Sequence, residues 1–182
     1  MSLIGKWTDL IYRVATGDIK TKILLTPIAG GLYLGLIAVF ILVSFFVDHL
    51  FQFPKIIPPP WDLMIGYPLM YIGFFLMMLS IIYFIKVKGT PVPFNPPPKL
   101  IITGPYKYAR NPMLTGIFMQ LFGTGMYYHS FSLLCIFTPL FILLNIWELK
   151  SIEEPELIKR FGQEYEDYKR RVPMFIGLLK ND

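Results

Sequence analysis

The sequence predicts an all-α integral membrane protein with about four transmembrane helices, and three observations predict it. Hydrophobic residues make up 54% of the 182-residue chain and charged residues only 16%, where a soluble domain carries about 25% charged residues. The mean hydropathy is +0.54. The apolar residues gather in four stretches that contain no charged side chain, Leu24 to Val47, Met64 to Ile85, Met113 to Tyr128 and Ser130 to Trp147.

The first two stretches are long enough to cross a hydrocarbon core, which takes about 20 helical residues. The third and fourth are shorter and separated only by His129, so they read as a tight C-terminal helical hairpin; a single long buried or re-entrant segment is the alternative. Leu24 to Val47 is too long for a secretory signal, and no small-residue cleavage site follows it. The chain reads as one membrane domain, with N-terminal helices in 1–87 and a loop, hairpin and tail in 88–182.

Charge sets the expected orientation. Lys6, Arg13, Lys20 and Lys22 precede the first stretch, only Lys55 lies in the first loop, and Lys86, Lys88, Lys99, Lys107 and Arg110 lie in the second. The hairpin tip has none, and the tail has the remaining seven, the last being Lys180. Basic residues mark cytoplasmic loops, which places both termini and the 86–111 loop in the cytoplasm. The net charge of +5 then belongs to one membrane face, where it suits anionic lipid headgroups. No groove-reading motif points to nucleic acid.

Within the first stretch, Gly31 and Gly35 are spaced by four, which permits close approach of a neighbouring helix or of a second copy in a homodimer. The first loop, FQFPKIIPPPWD, reads as a stiff surface turn with Trp61 at headgroup level. The second holds five prolines between Pro91 and Pro98, Pro93 among them, so it runs extended rather than helical. Pinned between two membrane helices, it reads as the wall of something. Asn111-Pro112 reads as a helix start, with Asn as cap and Pro in the first position, its free amides a seat for an anion.

Beyond Trp147, Leu157, Ile158, Phe161, Tyr165 and Tyr168 recur at helical spacing among charged residues, the pattern of one cytoplasmic amphipathic helix. Ser151 with Glu154 fits a capping box, Pro155 a first turn, and Arg170 with Arg171 a helix C-terminus.

The inventory of reactive groups narrows the chemistry. The two histidines, His49 and His129, map to the outer side, and Cys135 lies alone within the fourth stretch. There is no Ser-His-Asp order, Walker loop, GxGxxG or His/Cys/Glu metal spacing, which argues against triad hydrolysis, P-loop phosphoryl transfer and a metal centre. What remains on the cytoplasmic side is Lys99, Tyr106, Arg110 and Asn111 before the third stretch, and Glu148, Lys150, Glu153 and Glu154 after the fourth. A hairpin returns its two ends to one face, so these groups can meet. Each also has a plainer reading: Arg110 as a headgroup anchor, Tyr106 as a belt aromatic, and the glutamates as acids at a helix start.

Taken together, KLIITGPYKYARNPMLTG, the hairpin and EEPELIKRFGQEYEDYKRRVP resemble the membrane methyltransferases of the isoprenylcysteine carboxyl methyltransferase and phospholipid N-methyltransferase superfamily, over roughly residues 98 to 175. The resemblance implies S-adenosylmethionine in a pocket of the loop and hairpin ends, open to the cytoplasm, with a small apolar or lipid-like acceptor entering from the bilayer. By position it implies that Lys99, Leu100 and Ile101 line the adenine side, that Tyr106 packs near the cofactor, and that Asn111, Pro112, Met113 and Leu114 contact the methionine part. Glu153 or Glu154 would accept from ribose or amino group, and Arg110 would complement a carboxylate; these three with Asn111 form the implied catalytic set. Asn111 stands where the family has His and Leu114 where it has Tyr. The Arg that prenylcysteine enzymes carry just before the Glu pair is absent, leaving Lys150 as the nearby substrate-binding candidate.

Methyl transfer suits a face without histidine. It is an in-line displacement that alignment and exclusion of water can largely drive. A carboxylate or thiolate acceptor needs no base, whereas an ammonium must first lose a proton to the Glu pair, a tyrosine or water. Two other readings stand beside this one. Sterol reductases, which use a nicotinamide cofactor, look similar in this region, and a non-catalytic scaffold could keep the fold.

Overall fold

The computed structural model describes residues 3–55, 57–92 and 95–176; Pro93 of the proline run and Lys180 of the basic tail lie outside the described residues. The described elements are all helical. They comprise α1 (Leu3–Thr16), α2 (Ile19–Phe51), α3 (Trp61–Lys86), a short 3₁₀ turn (Gly104–Lys107), α4 (Pro112–Tyr127), α5 (Thr138–Glu148), α6 (Glu154–Phe161) and α7 (Gln163–Arg171).

Two π-helical turns, Leu133–Phe137 and Leu149–Glu153, flank α5. Every junction residue keeps helical dihedrals, so Leu133–Phe161 is one unbroken rod of 29 residues. It and the runs Lys20–Phe51 and Trp61–Lys86 are long and apolar enough to cross a membrane. At 16 residues, α4 falls short of the usual span.

Glycines set the closest packing. A Cβ on Gly73 would lie 2.6 Å from the Gly116 carbonyl oxygen, and one on Gly123 would lie 2.8 Å from that of Gly66, so α3 and α4 run antiparallel with backbones in contact. Gln120 completes this seam by donating to the Met70 carbonyl at 3.0 Å. On its other side α4 meets α5 and the turn before it, through the edge-to-face pair Phe118 and Phe141 and through Gly125 against Leu134. α2 then packs on the rod: Tyr33 donates to Asn145 at 2.9 Å, and Phe40 sets its ring edge-on to Phe137 and Phe141. The buried core comprises Ile117, Phe118, Leu121, Leu133, Phe141 and Leu149, closed by Met174 and Phe175 from the C-terminal segment.

Five local expectations are corrected. Within the chain, the close approach allowed by Gly31 and Gly35 is not made: a Cβ on either would meet nothing within 4 Å among the described residues. The physical reason is that α2 turns Tyr33, Ile37, Phe40 and Ile41 to the core, and a residue two positions back lies about 200° around the helix. Ser151 and Glu154 form no capping box, because the rod runs through them without an end to cap. Asn111 does precede α4 and Pro112 is its first residue, but the Asn111 side chain makes no capping bond; its amide reaches the Met174 carbonyl at 3.4 Å. The α4 entrance is likewise no open anion seat, because the C-terminal segment lies across it. The single amphipathic helix is two, broken at Gly162, whose φ of +54° sits in the region glycine alone visits freely.

α1 has no counterpart among the expected elements. It docks on α6 through the Lys159–Asp9 ion pair at 2.7 Å, with the same ammonium 4.4 Å from the Tyr12 ring centre.

Candidate active site

Three separate parts of the chain converge where α3 ends, α4 begins and the rod emerges. The loop after α3 stays non-helical through its described prolines. It turns at Gly104, whose φ is +61° and where a Cβ would lie 2.1 Å from the Tyr83 ring, so glycine is required on both counts. The 3₁₀ turn that follows buries Tyr106, whose ring stands edge-on to Phe84.

Residues 172–176 then run as a strap over the start of α4. The Arg110 and Asn111 amides donate to the Pro173 and Met174 carbonyls at 2.8 and 3.0 Å, and the Ile176 amide donates to Thr115 Oγ1 at 3.4 Å. The strap thereby supplies polar partners at a buried chain entrance.

A clamp of charges fastens these parts to the rod. The Arg110 guanidinium donates to Glu154 Oε1 at 2.5 Å, to the Tyr165 hydroxyl at 3.1 Å and, through Nε, to the Val172 carbonyl at 3.1 Å. Lys169 reaches the other Glu154 oxygen. Arg110 and Glu154 are both buried, so each holds the other's charge out of water. Tyr168 donates to the Tyr106 carbonyl at 2.6 Å.

Between the clamp, the loop and α1 lies a cleft. Its apolar walls are Ile11, Phe84, Val92, Leu100, Ile101, Leu149, Ile152, Leu157 and Phe161, with Pro91, Pro96 and Pro97 along the loop; its polar lining is Thr90, Tyr106, Arg110, Asn111, Glu148, Glu153, Glu154, Glu156, Arg160, Tyr165 and Tyr168. Arg160 pairs with Glu156 at 3.2 Å and reaches the Pro97 carbonyl at 3.3 Å. Burial pushes the Tyr106, Tyr165 and Tyr168 hydroxyls above the ordinary tyrosine range. At neutral pH they are donors rather than bases.

Of the residues singled out in the sequence, Leu100, Ile101, Tyr106, Arg110, Asn111, Glu153 and Glu154 share this cleft. Lys99, Pro112, Met113, Leu114 and Lys150 do not line it. Lys99 and Lys150 are exposed, Pro112 is sealed in the first turn of α4, and Leu114 packs on the apolar core. The Leu114 departure therefore removes no group from the cleft wall. Arg110 and Glu154 occupy one another, so neither is free to meet an outside carboxylate or hydroxyl while the clamp is closed.

Phe84, Ile11, Tyr165 and Tyr168 line the cleft outside the site residues expected from the sequence, among which Glu148 figures only in the polar cluster. The tyrosines were legible as one helix face, but the side that face covers depends on the break at Gly162.

Among known proteins, the profile described as phospholipid methyltransferase matches residues 61–164. Methanethiol S-methyltransferase of Crocosphaera subtropica is 30% identical over 98 residues, 54% of this chain and 34% of that one. Protein-S-isoprenylcysteine O-methyltransferase of Schizosaccharomyces pombe is 36% identical over 84 residues, 44% of this chain and 34% of that one. The nickel-cobalt-cadmium resistance protein NccN of Alcaligenes xylosoxydans xylosoxydans is 34% identical over 81 residues, 44% of this chain and 37% of that one. The matched regions thus span about a third of these relatives' lengths. No solved structure matches the chain.

Proposed function

The chain belongs to the phospholipid methyltransferase family, and on that premise we propose that its cleft binds S-adenosylmethionine and directs methyl transfer to a small apolar or lipid-anchored acceptor carrying a carboxylate, thiol or amine. The observation that carries the reading is the convergence of Leu100, Ile101, Tyr106 and Asn111 with Glu153 in one cleft, although more than 40 residues of chain separate the two sets.

The residues present fit such a cofactor. Tyr106 is 6% exposed, and its hydroxyl, beside Ser80, makes no hydrogen bond in good geometry with any described group; buried polar atoms are rarely left so. Glu153 lines the same cleft without a hydrogen bond or ion pair among the described residues. When bound, S-adenosylmethionine supplies a methyl carbon on a sulfonium, whose sulfur leaves as a neutral thioether.

The chain's own residues do the rest. Leu100, Ile101, Leu157 and Phe161 offer apolar surface to a purine. Glu153 accepts from hydroxyl or ammonium groups, and Tyr106 and Asn111 donate. Arg110 with Glu154 fixes the angle between the loop and the rod. The prolines and Phe84 keep water from the reacting pair, which favours a charge-dispersing displacement.

We read α4 and the rod as a hairpin that adds the remaining crossing and returns both ends to the cytoplasmic side. The basic residues around the cleft support that orientation, and the apolar outer faces of α2 and α3 support a bilayer around them.

Titration calorimetry with S-adenosylhomocysteine on protein in lipid nanodiscs tests the proposal. Binding in the micromolar range is expected, with Glu153→Gln weakening it at least tenfold while the unfolding midpoint stays unchanged. No heat up to high micromolar ligand overturns the reading.

A further inference from the structure

We propose that Glu148, set beside Glu153 by the π-helical turn between them, is a further binding residue for a positively charged centre of the cofactor. The inference rests on the S-adenosylmethionine reading of the cleft and deepens it.

In a regular α-helix, residues five apart lie about 140° apart around the axis, so Glu148 and Glu153 would point to different sides. The turn Leu149–Glu153 is π-helical. Its wider i→i+5 winding brings such residues towards one side, and turns of this kind recur at functional sites. Both carboxylates line the cleft.

Charge accounting within the cleft shows why this pair stands out. Arg110 is taken by Glu154 and Arg160 by Glu156, while Glu148 and Glu153 have no hydrogen bond or ion pair among the described residues. The cleft therefore keeps two carboxylates without a hydrogen bond or ion pair among the described residues on one side of its wall. Both are partly buried, and a carboxylate drawn part of the way out of water gains from a partner that meets it there. A second observation points to a ligand in the same place: the Tyr106 hydroxyl, in a residue 6% exposed, also lacks a partner there. Two acceptors and one donor without partners, between apolar walls, describe a seat for an organic cation that also carries hydrogen-bonding groups.

S-adenosylmethionine has two such cationic centres, the sulfonium and the α-ammonium, and S-adenosylhomocysteine keeps only the second. Calorimetry with each ligand on the wild-type protein, Glu148→Gln and Glu153→Gln in nanodiscs separates them. The expected result is that Glu148→Gln weakens S-adenosylmethionine at least tenfold with an unchanged unfolding midpoint. An equal loss for S-adenosylhomocysteine assigns Glu148 to the ammonium; an unchanged affinity for it assigns Glu148 to the sulfonium; either supports the proposal.

Glu148→Gln binding both ligands within twofold of wild type, while Glu153→Gln loses them, overturns this inference and leaves the cofactor reading standing. A wild-type protein that binds neither ligand overturns both. Should Glu148→Gln fail to fold, Glu148→Asp carries the test. Its withdrawn carboxylate is expected to cost threefold to fivefold, and unchanged affinity overturns the proposal.

Discussion

At the turn between α4 and the rod, Asp48 of α2 accepts from the Ser132 amide at 2.8 Å, from the Ser132 hydroxyl at 2.5 Å and from the Ser130 hydroxyl, while Asp62 of α3 meets His129 Nε2 at 3.2 Å. At the opposite end of the same bundle, Glu148 and Glu153 accept from no described group. Both ends bring acidic side chains to helix ends within an apolar chain, yet Asp48 has donors on both of its oxygens whereas Glu148 and Glu153 have none among the described residues. Where a carboxylate finds several donors within its own fold, it acts as a staple: Asp48 sits on the start of the rod, where amides are free and the dipole favours a negative charge. Where the fold supplies walls but no donors, as around Glu148 and Glu153, the group is open to the ligand proposed above. The cleft end contains both kinds, since Glu154 is clamped one residue away from the unclamped Glu153.

This contrast can be broken most forcefully at the clamp. Arg110→Met leaves Glu154 with Lys169 alone and strands the Tyr165 hydroxyl and the Val172 carbonyl; removing one partner of a buried pair costs about 3–5 kcal/mol. Chemical denaturation in mixed micelles should show that loss, together with weaker cofactor binding. Asp48→Asn tests the stapled end. It should cost about 2 kcal/mol, the worth of hydrogen bonds to a charged group, and leave S-adenosylhomocysteine affinity as it was; a drop in affinity there would erase the distinction between the two ends.

A smaller effect separates two glycine pairs. Gly73→Ala drives a methyl into the Gly116 carbonyl 2.6 Å away and should cost about 1.5 kcal/mol by overpacking. Gly31→Ala meets open space and should stay within about 0.5 kcal/mol, as the unfolding midpoints of the two variants will report.

The glycines also show what the sequence could and could not convey. Gly31 and Gly35 carry the spacing that advertises a packing seam, yet the seam within the chain uses Gly66, Gly73, Gly116 and Gly123, split across two helices in spacings of seven. A motif within one helix states that close approach is permitted, and the partner helix decides whether it occurs. Likewise Pro112 marked a helix start because a missing amide suits that position, whereas the bonding of Asn111 depended on where residues 173 and 174 came to lie.

Sequence by itself determined the helical, membrane-suited class, the two long apolar runs of α2 and α3 and the non-helical proline loop, although that loop turns back on itself between Thr90 and Asn95 rather than running extended. These follow from composition, local geometry and the order of short motifs, all of which lie along the chain. Only the tertiary structure decided that Glu154 belongs to Arg110, that α1 closes one side of the cleft, and that a π-helical turn sets Glu148 beside Glu153. Those outcomes depend on which distant groups come within about 3 Å of each other, and on a local widening of the helix that side-chain pattern does not encode.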